Sequence, residues 1–132
     1  MVLPTPQQLD QLLAFLSALE MGSHTFGADH GLEKHPDGSF SAPWVDYPPG
    51  VIRFFELASL PCFSDYEYAD KNPGTWLDTP NFIQSASLEQ CITLLTFFNR
   101  SERFSEGSWR YALENGIIQD ILRRLGVLRH FS

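Results

Sequence analysis

Three groups of side chains in this sequence have the types and spacing to do chemistry. The first is Arg100, Arg103 and Glu106, with Gly107 at a predicted helix start. Helix N-termini offer free N–H groups and arginines add forked donors, so this set suits a phosphate or carboxylate. A competing use is structural. Arg100 and Arg103 close the preceding helix, where the dipole attracts cations, and can bind its carbonyls or a carboxylate such as Asp46. The structural use is preferred.

The second group is His24, Asp29, His30, His35 and Asp37, all within fourteen residues. Imidazole and carboxylate suit zinc or a similar divalent ion. The spacing matches no established metal signature, and Gly and Pro run through the segment. A solvated polar loop is the better account, and no metal is expected. The third group is acidic and aromatic: Asp65, Tyr66, Glu67, Tyr68, Asp70, Trp76 and Asp78. Carboxylates among aromatics can dock on a basic protein surface, and Tyr and Trp are enriched at such contacts. Charge runs are more often ordinary solvated faces.

Several chemistries are excluded by pattern. No Gly-x-Ser-x-Gly elbow, phosphate loop, Rossmann fingerprint or His-Glu-x-x-His helix occurs. The two cysteines, Cys62 and Cys91, show no paired spacing. Cys91 sits in an apolar run and reads as a small buried hydrophobe, while Cys62 follows Pro61 at a helix end. No catalytic residue and no cofactor is assigned.

Charge is unevenly placed. Residues 1–90 hold twelve acids against three bases, a net of −9, while residues 91–132 hold six arginines against four acids, a net of +2. The total of −7 opposes nonspecific nucleic-acid binding. The arginines are expected to tie the basic half to the acidic half. The opening residues lack a basic segment, and no apolar run is long enough to span a membrane. A soluble, cytoplasmic protein is expected.

The elements that must position these groups are mostly helical. Thr5 and Pro6 predict the start of a first helix, carried by Leu9, Leu12, Leu13, Leu16 and Leu19 and stopped at Gly22. His35-Pro36-Asp37-Gly38 is a turn signal, with flanks near Ser23–Asp29 and Ser39–Asp46 suited to a small hairpin. A second helix runs from Gly50 to about Leu60, before Pro61. Residues 62–86 exceed a usual loop, which predicts a short helix near Ser64–Asp70 or a functional loop. Ser87 and Gln90 form a capping-box pattern opening a helix to about Asn99, apolar almost all round and therefore central. Ser105 can cap the next helix, Asn115-Gly116 closes it, and a last helix ends at Gly126. The expected fold is mainly α, a compact bundle of about five helices with a minor β-hairpin, in a single domain over 1–132 with its core at about 5–126.

Arg100, Arg103, Phe104, Glu106 and Gly107, followed by Gly116 and Ile121, resemble a signature of small bacterial proteins classed as a domain of unknown function. That signature reads Arg-x-x-Arg-Phe-x-[Asp/Glu]-Gly. Pro43, Trp44, Val45 and Tyr47 match an upstream segment of the same family, so the resemblance covers roughly residues 40–125. Members often carry Cys after the Phe, where this chain has Ser105. The resemblance implies a bacterial or phage origin and a mostly helical fold, and it brings no catalytic residue.

The function expected from these features is an acidic protein-binding module. An inhibitor or antagonist of immunity, antitoxin or anti-defence type, docking on a basic partner surface through the third group, fits best. The alternative is an enzyme or an anion or small-ligand binder using Arg100, Arg103 and Glu106. No direct nucleic-acid or membrane contact is expected.

Overall fold

A capping box opens the helix on which the rest of the chain is assembled. Ser87 N–H donates to Gln90 Oε1 at 2.9 Å, and Gln90 N–H donates to Ser87 Oγ at 3.1 Å. From there α5 runs from Leu88 to Phe104. Its residues Cys91, Ile92, Thr93, Leu94, Leu95 and Thr96 are all buried, as a helix apolar on every side requires.

The computed structural model describes residues 3–20, 28–30, 33–34, 36–38, 40–41, 44–104 and 107–130. Of the strand residues, and of Glu20, Arg103, Phe104 and His130, it describes the backbone alone. The fold is mainly α. The described residues form α1 (Pro6–Leu13), α2 (Leu16–Glu20), α3 (Pro49–Ala58), α4 (Tyr68–Lys71), α5, α6 (Ser108–Glu114) and α7 (Ile117–His130). Tight 3₁₀ turns at Pro61–Phe63, Pro73–Asp78 and Ile83–Ser85 break up the long connection between α3 and α5.

Helix α5 packs against α3, α4, α6 and α7, and α7 packs against α1, α2 and α6. The core between them takes Leu9 and Leu12 from α1, Phe54 and Phe55 from α3, and Ile118, Ile121, Leu122 and Leu125 from α7. At the first helix, Thr5 and Gln8 form a reciprocal box, with Pro6 in the first turn.

The expected hairpin is present in the backbone. Strand β1 (Ala28–His30) pairs antiparallel with β4 (Trp44–Asp46), and β2 (Glu33–Lys34) pairs with β3 (Phe40–Ser41). Both pairs belong to one register, which places Pro36-Asp37-Gly38 at the turn. Gly38 has φ of 88°, the left-handed step that a glycine makes at no steric cost.

Two helix ends differ from the sequence reading. The first helix is broken at Ala14–Phe15, where Phe15 N–H turns to the carbonyl of Leu12. That turn brings Phe15 edge-on to Phe54, centroids 5.6 Å apart, so a core contact outweighs local propensity. The stop expected at Gly22 lies outside the described residues. The last helix passes straight through Gly126 to His130. A Cβ at Gly126 would meet nothing within 4 Å. Gly126→Ala is therefore expected to stabilise the protein by about 0.5–1 kcal/mol, since glycine in a helix interior costs that much. Urea denaturation of the two proteins checks it, with an unchanged slope and a higher midpoint as the expected result.

Candidate functional site

The acidic, aromatic stretch divides once it is folded. Asp65 is not on the surface: its side chain is 4 % exposed. Lys71 Nζ donates to Asp65 Oδ2 at 2.7 Å and to Glu89 Oε1 at 2.8 Å. Thr93 Oγ1–H donates to the same Asp65 oxygen at 2.7 Å, and Glu67 N–H donates to Oδ1 at 3.0 Å. The Asp65 N–H is taken by Thr96 Oγ1 at 2.9 Å. Burial alone would raise the Asp65 carboxyl, but the bonds from Lys71, Thr93 and Glu67 outweigh it and hold the group below the usual carboxylate range. Asp65 is thus a clamp that pins the 62–86 connection onto α5, not a docking residue.

The neighbours of Asp65 differ in exposure. Tyr66 is 68 % exposed, and Glu67, Asp70 and Asp78 are exposed as well. Tyr68 and Trp76 are half-buried, and Trp76 packs on Phe82 with centroids 5.3 Å apart.

The start of α6, the alternative anion site, is already occupied by a carboxylate of the chain itself. Glu102 Oε1 accepts the Trp109 N–H at 2.9 Å, and both of its oxygens accept the Gly107 N–H at 3.2 Å. Tyr47 Oη–H donates to Glu102 Oε1 at 2.8 Å, and the Arg110 N–H donates back to Tyr47 Oη at 3.3 Å. Burial first, then the bond to Glu102, pushes the Tyr47 phenol well above its ordinary range. Gly107, with φ of 104°, occupies the cap position expected for Ser105. Ser105 and Glu106 lie outside the described residues, as does the Arg103 side chain.

The Asp46 side chain, one of the partners expected for Arg100, lies outside the described residues. Among the described residues Arg100 has no ion pair and no carbonyl bond. Its guanidinium lies over the Tyr66 ring, 6.0 Å from the centroid, a cation–π arrangement. Two arginines of the second half are seen to reach the first. Arg129 reaches Asp10 at 3.1 Å, and Arg124 donates to the Ala86 carbonyl at 2.8 Å. Arg110 and Arg123 pair locally with Glu114 and Asp120 on their own helices.

Beside Arg100 opens a cleft of about 370 Å³ between α3, Ser64, α5 and α6. Its apolar wall is Phe55 and Trp109, stacked with centroids 4.4 Å apart and rings 1° from parallel. Helix α3 adds Glu56 and Ser59, and α5 adds Thr96, Asn99, Arg100 and Glu102 at helical spacing. The Glu102 network sets this wall, because it fixes the Trp109 backbone while Tyr47 packs on the indole at 5.1 Å.

Two wall residues carry buried donors without an acceptor among the described residues: Asn99 Nδ2 and Trp109 Nε1. Such orphans are uncommon and cost about 1–3 kcal/mol each. Of the three charged residues lining the cleft, Glu102 is committed to Tyr47, Gly107 and Trp109, and the other two are unspent. Neither the Glu56 carboxylate nor the Arg100 guanidinium has an ion-pair partner among the described residues. The sequence pointed to Arg100 alone. A usable signal for the rest was present: polar Thr96, Asn99 and Arg100 recur on one side of an otherwise apolar helix.

Both thiols are free, with Cys91 buried and Cys62 half-buried. Burial raises both, Cys91 to about 12, so neither is a thiolate at neutral pH. Among the described residues no cluster of His, Cys, Asp or Glu could hold a metal ion. His24 and His35 lie outside those residues, and His30 is described by its backbone alone. No described helix is long and apolar enough to cross a membrane.

These features define a small, mainly α-helical domain with a polar-floored, aromatic-walled cleft. The chain belongs to DUF6508, a family of unknown function whose model matches residues 4–130. That match extends well beyond the stretch of 40–125 on which the resemblance was read. No curated protein and no solved structure matches the chain.

Proposed function

We propose that this protein is a non-catalytic binding protein and that the cleft between α3, α5 and α6 takes a small ligand with acceptor atoms. The observation that carries this reading is the pair of buried donors, Asn99 Nδ2 and Trp109 Nε1, in residues that line one cleft. A ligand acceptor would remove the cost of leaving them unpaired. The volume of about 370 Å³ falls at the small end of ligand pockets, and an apolar wall with a few convergent polar groups is their usual make-up. Arg100 supplies a cation at the rim.

Nuclear magnetic resonance tests it directly. The chain has three tryptophans, so three indole N–H signals are expected, and Trp109→Phe assigns one of them. On titration with mixtures of small metabolites, the Trp109 indole and Asn99 amide signals are expected to move while the Trp76 indole stays. If no mixture moves the Trp109 indole, the reading fails.

A second reading is favoured by Tyr66, a large aromatic left 68 % exposed beside exposed Glu67 and Asp70. Here the protein docks on a basic protein surface, as an inhibitor or antagonist would. Asp65 takes no part, since it is committed to Lys71 and Thr93. Association with a basic partner would be salt-sensitive. Charge reversal at Glu67 and Asp70 is expected to weaken capture of that partner at low salt, and unchanged capture would remove this surface from the account.

A further inference from the structure

Three charged side chains line the cleft: Glu102 is committed to Tyr47, Gly107 and Trp109, while Glu56 and Arg100, of opposite sign, are ion-paired with no other described residue. Glu56 stands on α3 and Arg100 on α5, and both line the same cavity. No ion pair joins them or engages either with another described residue, although the chain carries sixteen acids and nine lysines and arginines. Arg100 is steadied by the Tyr66 ring, which leaves its forked N–H donors available. Asn99 on α5 and Trp109 on α6 line the same cleft and each carries a buried donor without an acceptor among the described residues, while Glu56 lines it from α3. The stacked Phe55–Trp109 pair lines the same cleft.

We propose that the cleft recognises a zwitterion of the α-amino-acid kind with a flat, apolar side chain. The ligand carboxylate meets Arg100, Asn99 and Trp109. Its ammonium meets Glu56, and its side chain lies on the Phe55–Trp109 wall. A simple anion would leave Glu56 facing it with like charge, and a simple amine would leave Arg100 and the orphan donors unanswered. Only a molecule bearing both charges satisfies both poles. This inference rests on the reading of the cleft as a ligand site.

Three probes with one carbon skeleton test it by calorimetry on the full chain: L-phenylalanine, 3-phenylpropionate without the amine, and 2-phenylethylamine without the carboxylate. L-Phenylalanine is expected to bind about 10-fold more tightly than either, the size of one charge-assisted hydrogen bond. Glu56→Gln is expected to erase its advantage over 3-phenylpropionate, and Arg100→Gln its advantage over 2-phenylethylamine. Glu56 is exposed, so its replacement leaves the fold intact, and an unchanged melting curve confirms that. Equal affinity for L-phenylalanine and 3-phenylpropionate overturns the zwitterion and leaves the cleft as an anion site. If none of the three binds but another metabolite moves the Trp109 indole signal, the inference falls and the ligand-binding function stands. If nothing moves that signal, both fall.

Discussion

Lys71→Met is expected to destabilise the protein by about 3 kcal/mol at neutral pH, more than most surface lysines would. Lys71 is 28 % exposed, but its partner Asp65 is 4 % exposed. Removing the cation leaves a buried carboxylate held only by Thr93 and the Glu67 N–H. Asp65→Asn is expected to cost less, because Lys71 keeps Glu89 at 2.8 Å and can reach water. The pH dependence follows from the two shifts. The Asp65 pKa is lowered on folding, so its contribution is complete above the unfolded carboxyl value of about 3.9 and is lost as pH falls through the lower folded value. The Lys71 pKa is raised, by its bond to Asp65 and then by that to Glu89. Its contribution is complete below about 10.4 and is lost as pH rises through the folded value. Urea denaturation across the pH range should show the wild-type advantage over Lys71→Met from about pH 5 to 9, shrinking in acid as Asp65 takes a proton in the variant. A flat difference of a few tenths of a kcal/mol would mean that the clamp is an ordinary surface pair.

Glu102→Ala is expected to cost about 2–4 kcal/mol and to disorder the cleft wall. Three donors lose their acceptor at once: Gly107 N–H, Trp109 N–H and Tyr47 Oη–H. Bonds to a charged acceptor contribute about 1.5–3 kcal/mol each, and their losses overlap because the donors share one carboxylate. The carboxylate also faces the start of α6, where negative charge is favoured. Because Tyr47 and Trp109 pack together and Trp109 stacks on Phe55, the near-ultraviolet circular dichroism of these rings should fall. The far-ultraviolet helix signal should hold, since α5 and α7 carry their own buried faces. Full retention of the near-ultraviolet signal would show that packing alone orients Trp109.

Features that obey a local rule were legible in the sequence. The Thr5 cap, the Ser87–Gln90 box and the Asn115-Gly116 closure, where Gly116 has φ of 72°, each depend on a few neighbouring residues. The centrality of α5 followed from its apolar circumference. What the sequence hid was decided by distant contacts. Phe15 meeting Phe54 divides the first helix. Asp65 read as one carboxylate of a solvated run because its partners lie 6 and 28 residues away. Thr93 and Thr96 on an apolar helix were the trace of that partner, since a buried hydroxyl must meet something polar. The role of Glu102 is hidden because a Gly-containing helix start invites an external anion, while the carboxylate five residues upstream already fills it. The cleft needs α3 beside α5 and α6, a juxtaposition that no spacing within one segment encodes.

The proposed role of the orphan donors of Asn99 and Trp109 is to meet a ligand acceptor. A high-resolution crystal structure of the protein purified from its native host tests this most directly. Density for a small molecule is expected in the cleft, with acceptor atoms about 2.7–3.2 Å from Asn99 Nδ2 and Trp109 Nε1. A closed cleft, in which both donors are met by backbone carbonyls of the chain, would contradict it.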